Sequence, residues 1–369
     1  MTTTAPSKSR DPRPPQANSL TSGQLPRLFE LYALLGSLAV IGGAFLLMGF
    51  NLVGWLVVSA IAYLVAVGVF SVIVESRRKA TDRIVRGVVV VAFLLAFIPL
   101  VSTLGTVILR GIGTLNLGFI TQSTGSHFDP STLKVTETLG AWHSIVGTLE
   151  ITGIAALMSI PIGLLAAIYL VEYARPTQWM ARTITLLVDV MTGIPSIVAG
   201  LAAFSLFTII MGPARAFSGF SASVALSVLM IPIVVRSSEE MLKLVSSELR
   251  EASYALGVTK FATITRIVLP TAIAGLVTGI MLAIARVIGE TAPIFIAASF
   301  TNNFNANPFN GPMSTLAVQA YAGYKFPGTD IQSSIDGAWG AALLLVILVV
   351  ILNLIARIVA RIFAPKGLR

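Results

Sequence analysis

The strongest candidates for chemistry in this sequence are Arg286 and Glu290, in the segment ARVIGETAP. Both stand inside an apolar run, where an ionisable group is costly and marks a partner or a pathway. Four residues apart, they share one face of a helix and are able to meet. Pro293 follows; it lacks a backbone donor and its ring crowds the carbonyl of Gly289, which predicts a loosened or kinked helix beside the pair. Freed backbone groups next to an Arg–Glu pair suit a gate or a solute site, whereas an internal ion pair that only locks helix packing is the competing reading. Gly289 and Pro293 are therefore hinge candidates. Pro195, flanked by Gly193 and Gly200 in another apolar run, is a third. Asp189 is placed to pair with Arg236 or Arg182 near the ends of their runs.

The elements that must position these residues are membrane helices. The 369 residues are 55% hydrophobic and 11% charged, with a mean hydropathy of +0.88, far from the roughly 25% charge of a soluble domain. Cysteine is absent and only His127 and His143 remain as soft ligands, which argues against a disulfide framework, a metal centre or a membrane-embedded enzyme. Apolar runs lie near 31–50, 53–74, 85–109, 144–171, 183–211, 220–241, 270–298 and 338–363, the sixth being the weakest. At about 20 residues per crossing, eight helices are expected. Residues 1–27 are rich in proline and polar groups and read as a disordered tail.

The net charge of +9 is distributed as topology rather than as a nucleic-acid surface. An eight-span path gathers the Lys and Arg of 1–27, 75–86, 175–182, 236–266 and the C-terminus on one side. Only Arg110, Lys134, Arg215 and Lys325 fall on the other. That bias makes the first side cytoplasmic, with both termini there. The loops at 111–143 and 299–337 then face outward.

Between the sixth and seventh runs, residues 237–270 carry too many charges for a bilayer core and form a water-exposed loop. The loop contains Glu251, Ala252, Gly257, Leu269 and Pro270, a spacing that suits a short helix, a turn at Gly257, and a second helix entering the membrane at Pro270.

This pattern resembles the "EAA" loop of the membrane-spanning permease subunits of bacterial ABC importers, with Ser253 in place of the second alanine. ARVIGETAP, DVMTGIPSIVAGL at 189–201, IPIGLLAAIYLVEYA at 160–174 and IPIVVRSSEEML at 231–242 are similar to the A-type permease subunit of phosphate-specific ABC transporters over roughly residues 85–363. The resemblance implies an all-α polytopic membrane protein with the type I ABC importer permease fold and a six-helix core, 85–369; the departure from the family is at the front, where an additional hairpin with its loop occupies 28–84. It implies a substrate pathway that includes Arg286, Arg236 and Glu290. It also implies coupling through Glu251, Ala252, Gly257, Leu269 and Pro270 to cytoplasmic ATPase subunits. A second homologous permease subunit and an extracytoplasmic phosphate-binding protein complete the expected partners, in the bacterial cytoplasmic membrane and in contact with its lipid.

Phosphate suits these residues, since a guanidinium is always charged and its forked donors pair two phosphate oxygens at once. Glu290 would hold Arg286 while the solute is absent. No G-x-x-x-x-G-K-[ST] loop occurs, so ATP and magnesium are expected on a partner and no cofactor on this chain. A permease for sulfate or molybdate is the nearest alternative. A secondary anion transporter is the more distant one, and it would show inverted repeats.

Overall fold

In a computed structural model the chain is described over residues 25–363, apart from Arg27, 130–133, Pro176 and Thr329. The tail expected at 1–27 lies almost wholly outside the described residues. Apolar runs long enough to span a membrane become helices because only a helix satisfies every backbone group internally. In chain order they are α1 (Phe29–Met48), α2 (Leu52–Val74), α3 (Arg77–Gly111), α4 (Leu117–Thr121), α5 (Trp142–Ile168), α6 (Trp179–Thr192) and α7 (Ser196–Met211). They continue with α8 (Gly219–Lys243), α9 (Ser247–Ala255), α10 (Lys260–Thr263), α11 (Leu269–Val287), α12 (Ala292–Ala298), α13 (Leu316–Lys325) and α14 (Ile331–Phe363). A π turn, Tyr169–Tyr173, extends α5, and another, Ile264–Val268, joins α10 to α11.

The helical class holds, with one addition. The polar segment before α5 pairs as an antiparallel hairpin, β1 (Ser123–Asp129) with β2 (Lys134–Ala141). Seven described helices, or helices continued through a π turn, are long and apolar enough to cross a membrane. The remaining expected crossing, the fifth at 183–211, is broken: α6 and α7 diverge by 105° across Gly193–Pro195. Pro195 has no amide to continue the ladder, so it stands just before α7 rather than within a continuous span.

Chain contacts divide the protein into two compact units, up to Leu104 and from Gly105 onward. The first unit holds α1, α2 and most of α3. Its helices carry few buried residues, and its charges gather at one end: Arg83 lies 3.0 Å from Glu75 and 3.7 Å from Glu30, and Arg86 lies 3.6 Å from Glu30.

The second unit is built around α8, which packs against α5, α6, α7, α11 and α12. Its run is the least hydropathic of the spans because its neighbours are protein rather than lipid: Leu226, Met230 and Val234 are fully buried with Ile151, Val287 and Ile294. Small residues let the helices approach closely. A Cβ on Gly163 of α5 would meet Val234 at 2.7 Å. Ser223 donates to the Ile151 carbonyl at 3.1 Å, and Ser159 to the Ser227 carbonyl at 3.3 Å.

Candidate functional site

Two regions of the second unit carry the residues singled out by sequence. The first lies where α6, α7, α8, α11 and α12 meet. Arg236 is on α8, and its guanidinium bonds Asp189 of α6 through Nη2 and Glu239 of α8 through Nη1, the latter at 3.0 Å. Glu239 also accepts from Lys243 at 2.6 Å. Arg236 is thus held between carboxylates from two different helices, one on each terminal nitrogen of its rigid fork. Beside it a cleft of about 470 Å³ is lined by Arg175, Arg182, Asp189 and Glu239.

Arg286 and Glu290 are not brought together. Helix α11 ends at Val287, with Glu290 beyond it and Thr291 opening α12. The four-residue spacing therefore does not place both side chains on one helical face, and no ion pair joins them among the described residues. Arg286 is exposed and Glu290 half-buried. The expected loosening at Pro293 is present, and it is a complete break. Gly289 stands in the gap, and Pro293 occupies the first turn of α12, where a missing amide donor is no loss.

The helices bearing the two arginines cross closely. A Cβ on Gly279 of α11 would meet Ser237, the neighbour of Arg236, at 2.7 Å. Arg286 follows Gly279 by seven residues, so it sits about 10 Å of helical rise farther along α11. The two arginines therefore stand at successive levels, on two crossing helices, rather than in one shared shell.

The second region is the charged loop. Helix α9 ends in a left-handed residue, Gly257 at φ 76°. Gly257 donates to Tyr254 at 2.9 Å and Val258 to Ser253 at 3.2 Å, the paired bonds that close a helix C-terminus with glycine. The returning helix begins at Lys260, earlier than the expected entry at Pro270. Leu269 and Pro270 open α11 directly after the π turn. Glu251 and Ala252 are exposed, as are the apolar side chains of Leu244, Leu256 and Phe261. Ser253, the departure from the family pattern, is buried and lies 2.8 Å from the Thr263 hydroxyl, linking α9 to α10.

One residue of this region went unremarked in the sequence except as a charge. Arg250 is bonded to Glu172, 78 residues earlier, at the end of α5. No local spacing signals that pair.

The family described as binding-protein-dependent transport system inner membrane component matches residues 159–368. The chain is 42% identical over 272 residues, 73% of its length and 86% of the relative's, to phosphate transport system permease protein PstA 1 of Mycobacterium tuberculosis (strain CDC 1551 / Oshkosh). It is 38% identical over 280 residues to PstA of Mycobacterium leprae (strain TN), covering 74% of this chain and 86% of that one. Against PstA of Yersinia pestis it is 34% identical over 281 residues, with coverage of 74% and 90%. Among solved structures, an inward-facing MetNI methionine ABC transporter gives a TM-score of 0.47 at 24% identity, covering 61% of this chain and 95% of that chain.

Proposed function

The chain belongs to the PstA family of phosphate transport system permease proteins, and from this premise we propose that it carries inorganic phosphate across the bacterial cytoplasmic membrane as the membrane-spanning, non-catalytic subunit of an ATP-driven importer. The observation that carries the reading is the 42% identity to a phosphate permease over 73% of the chain. The basic side of the membrane path, with both termini and the 237–270 loop, is cytoplasmic. ATP and magnesium sit on partner subunits, whose groove receives α9 with its exposed Glu251, Leu256 and the Gly257 turn. The loops at 111–143 and 299–337 receive an extracytoplasmic phosphate-binding protein, and a second, homologous permease subunit completes the path.

Arg286 and Arg236 supply the two cationic levels of the route. Arg286 lies exposed on this chain, available to an anion or to the second permease subunit. Arg236 is held by Asp189 and Glu239, so a phosphate reaching it must compete with carboxylates, which keeps binding transient. Alternating access follows when closure of the ATPase subunits displaces α9 and rocks the helices around α8. The breaks at Pro195, Gly289 and Pro293 are the flexible points.

The test is uptake of labelled phosphate by vesicles carrying this permease and its partners, comparing wild type with Arg286→Gln. Loss of uptake with assembly intact supports the reading. Unchanged uptake removes Arg286 from the path. Displacement of the label by sulfate or molybdate, rather than by phosphate, would transfer the assignment to another oxyanion.

A further inference from the structure

The loop between α8 and α11 makes two cationic contacts with side chains of one short stretch of chain, the π turn Tyr169–Tyr173 that ends α5. Arg250 of α9 reaches Glu172 with Nη2 at 2.7 Å and Nε at 3.1 Å. Lys260 of α10 places its ammonium 4.9 Å from the centre of the Tyr173 ring. The first contact is dry: the Glu172 side chain is 5% exposed and that of Arg250 18%. Arg250 also donates to carbonyls at and just beyond the end of α8, with Nη1 2.5 Å from Val245 O and Nη2 3.0 Å from Leu242 O. One guanidinium therefore joins α9 to α5 and to the C-terminus of the helix that bears Arg236.

We propose that Arg250 is the positioning residue of coupling: a strut that stays closed on Glu172 through the transport cycle and carries the displacement of α9 into α5 and α8 together. The inference rests on the phosphate-importer reading. Its physical basis is the stiffness of the contact. Separating a buried carboxylate from a forked, multiply bonded guanidinium would leave an unpaired buried charge, so the pair moves as one body. The strut ends on a π turn, a widened helical turn of the kind found frequently at functional sites. Helix α5 in turn lies along α8, bonded through Ser159 and Ser223. Movement of Glu172 is thus movement of the wall beside Arg236.

The experiment measures phosphate taken up per ATP hydrolysed by the complete reconstituted complex, alongside co-purification of the ATPase subunit. Arg250→Lys and Glu172→Gln are expected to keep the ATPase subunit bound and hydrolysing while uptake per ATP falls at least tenfold. An unchanged ratio overturns the proposal, and so does loss of the ATPase subunit, which would make Arg250 a docking residue. The sequence contains no cysteine, so a paired Arg250→Cys, Glu172→Cys chain can be joined by a short bismaleimide and remains informative where a single variant does not accumulate. Recovery of uptake per ATP on tethering supports a strut that stays closed; failure to recover on tethering overturns it. Absence of phosphate uptake by the wild-type complex would instead remove the importer reading itself, leaving the two failures distinct.

Discussion

Gly200 of α7 lies against Pro293 of α12 so closely that a Cβ added to the glycine would meet Pro293 Cα at 2.6 Å and its carbonyl oxygen at 2.9 Å. The segment GIPSIVAGL and the segment GETAP, read separately in the sequence, are two sides of one helix contact. Each contains a break in the helical path, before α7 and before α12, and the contact ties the breaks together. Gly200→Ala is expected to destabilise the purified protein by about 1–3 kcal/mol, because backbone rather than a flexible side chain must yield. Gly153→Ala, on α5 with no atom within 4 Å of its new Cβ, should be neutral or stabilising by less than about 1 kcal/mol. Thermal unfolding of the two variants side by side checks this; equal shifts would mean that the contact yields without cost.

Arg236 is shared by Asp189 and Glu239. Asp189→Asn removes one competing charge, so the apparent KM for phosphate should fall and the maximal uptake rate should fall with it, as release from Arg236 slows. The concentration dependence of uptake separates the two effects. A raised KM would show that Asp189 helps to admit the anion instead of competing with it.

Gly257 adopts φ 76°, and a methyl group added there would meet no atom within 4 Å, so the cost of substitution is backbone strain alone. Gly257→Ala should destabilise the turn by about 1–2 kcal/mol, and Gly257→Asn by less, since asparagine visits the left-handed region more readily. ATPase-subunit retention on the purified permease should follow the order Gly, Asn, Ala.

The Thr263 hydroxyl donates to Thr259 O at 3.1 Å, which leaves Ser253 as the donor in the 2.8 Å contact between the two hydroxyls. Ser253→Ala then strands no donor and should cost less than about 1 kcal/mol. Thr263→Val leaves a buried serine donor unpaired and should cost about 1–3 kcal/mol. Denaturant unfolding of the singles and the double measures the coupling between them.

Asp330 caps the first turn of α14, accepting from Ser333 Oγ at 2.6 Å, Ser333 N at 3.2 Å and Gln332 N at 3.1 Å. The Ser333 hydroxyl, then its amide, holds this carboxyl below its usual range. A depressed folded pKa contributes stability above the ordinary carboxylate pKa that is lost as pH falls through the lowered value. Protection of the Gln332 and Ser333 amides, measured against their intrinsic exchange rates at each pH, should fall in that window in wild type. In Asp330→Ala protection should be low on both sides of it.

Much of the architecture is legible in the sequence because its signals are local. Apolar runs longer than about 20 residues are spans whatever surrounds them, and the loop of 237–270 is too charged for a bilayer core. Gly257 reads as a turn because few other residues take its backbone angles. What only the tertiary structure decided depends on which helices meet. Arg286 and Glu290 have the spacing of a helical pair, yet α11 stops between them. The run 183–211 has the length of one span, yet it bends through 105° at Pro195. Arg250 found Glu172 across 78 residues, and the weakly hydropathic α8 became the centre of the second unit. Hydropathy weighs a residue against lipid, and spacing weighs it against its own helix. The partner of a long charged side chain is chosen by neither, but by the packing that brings distant helices within its reach.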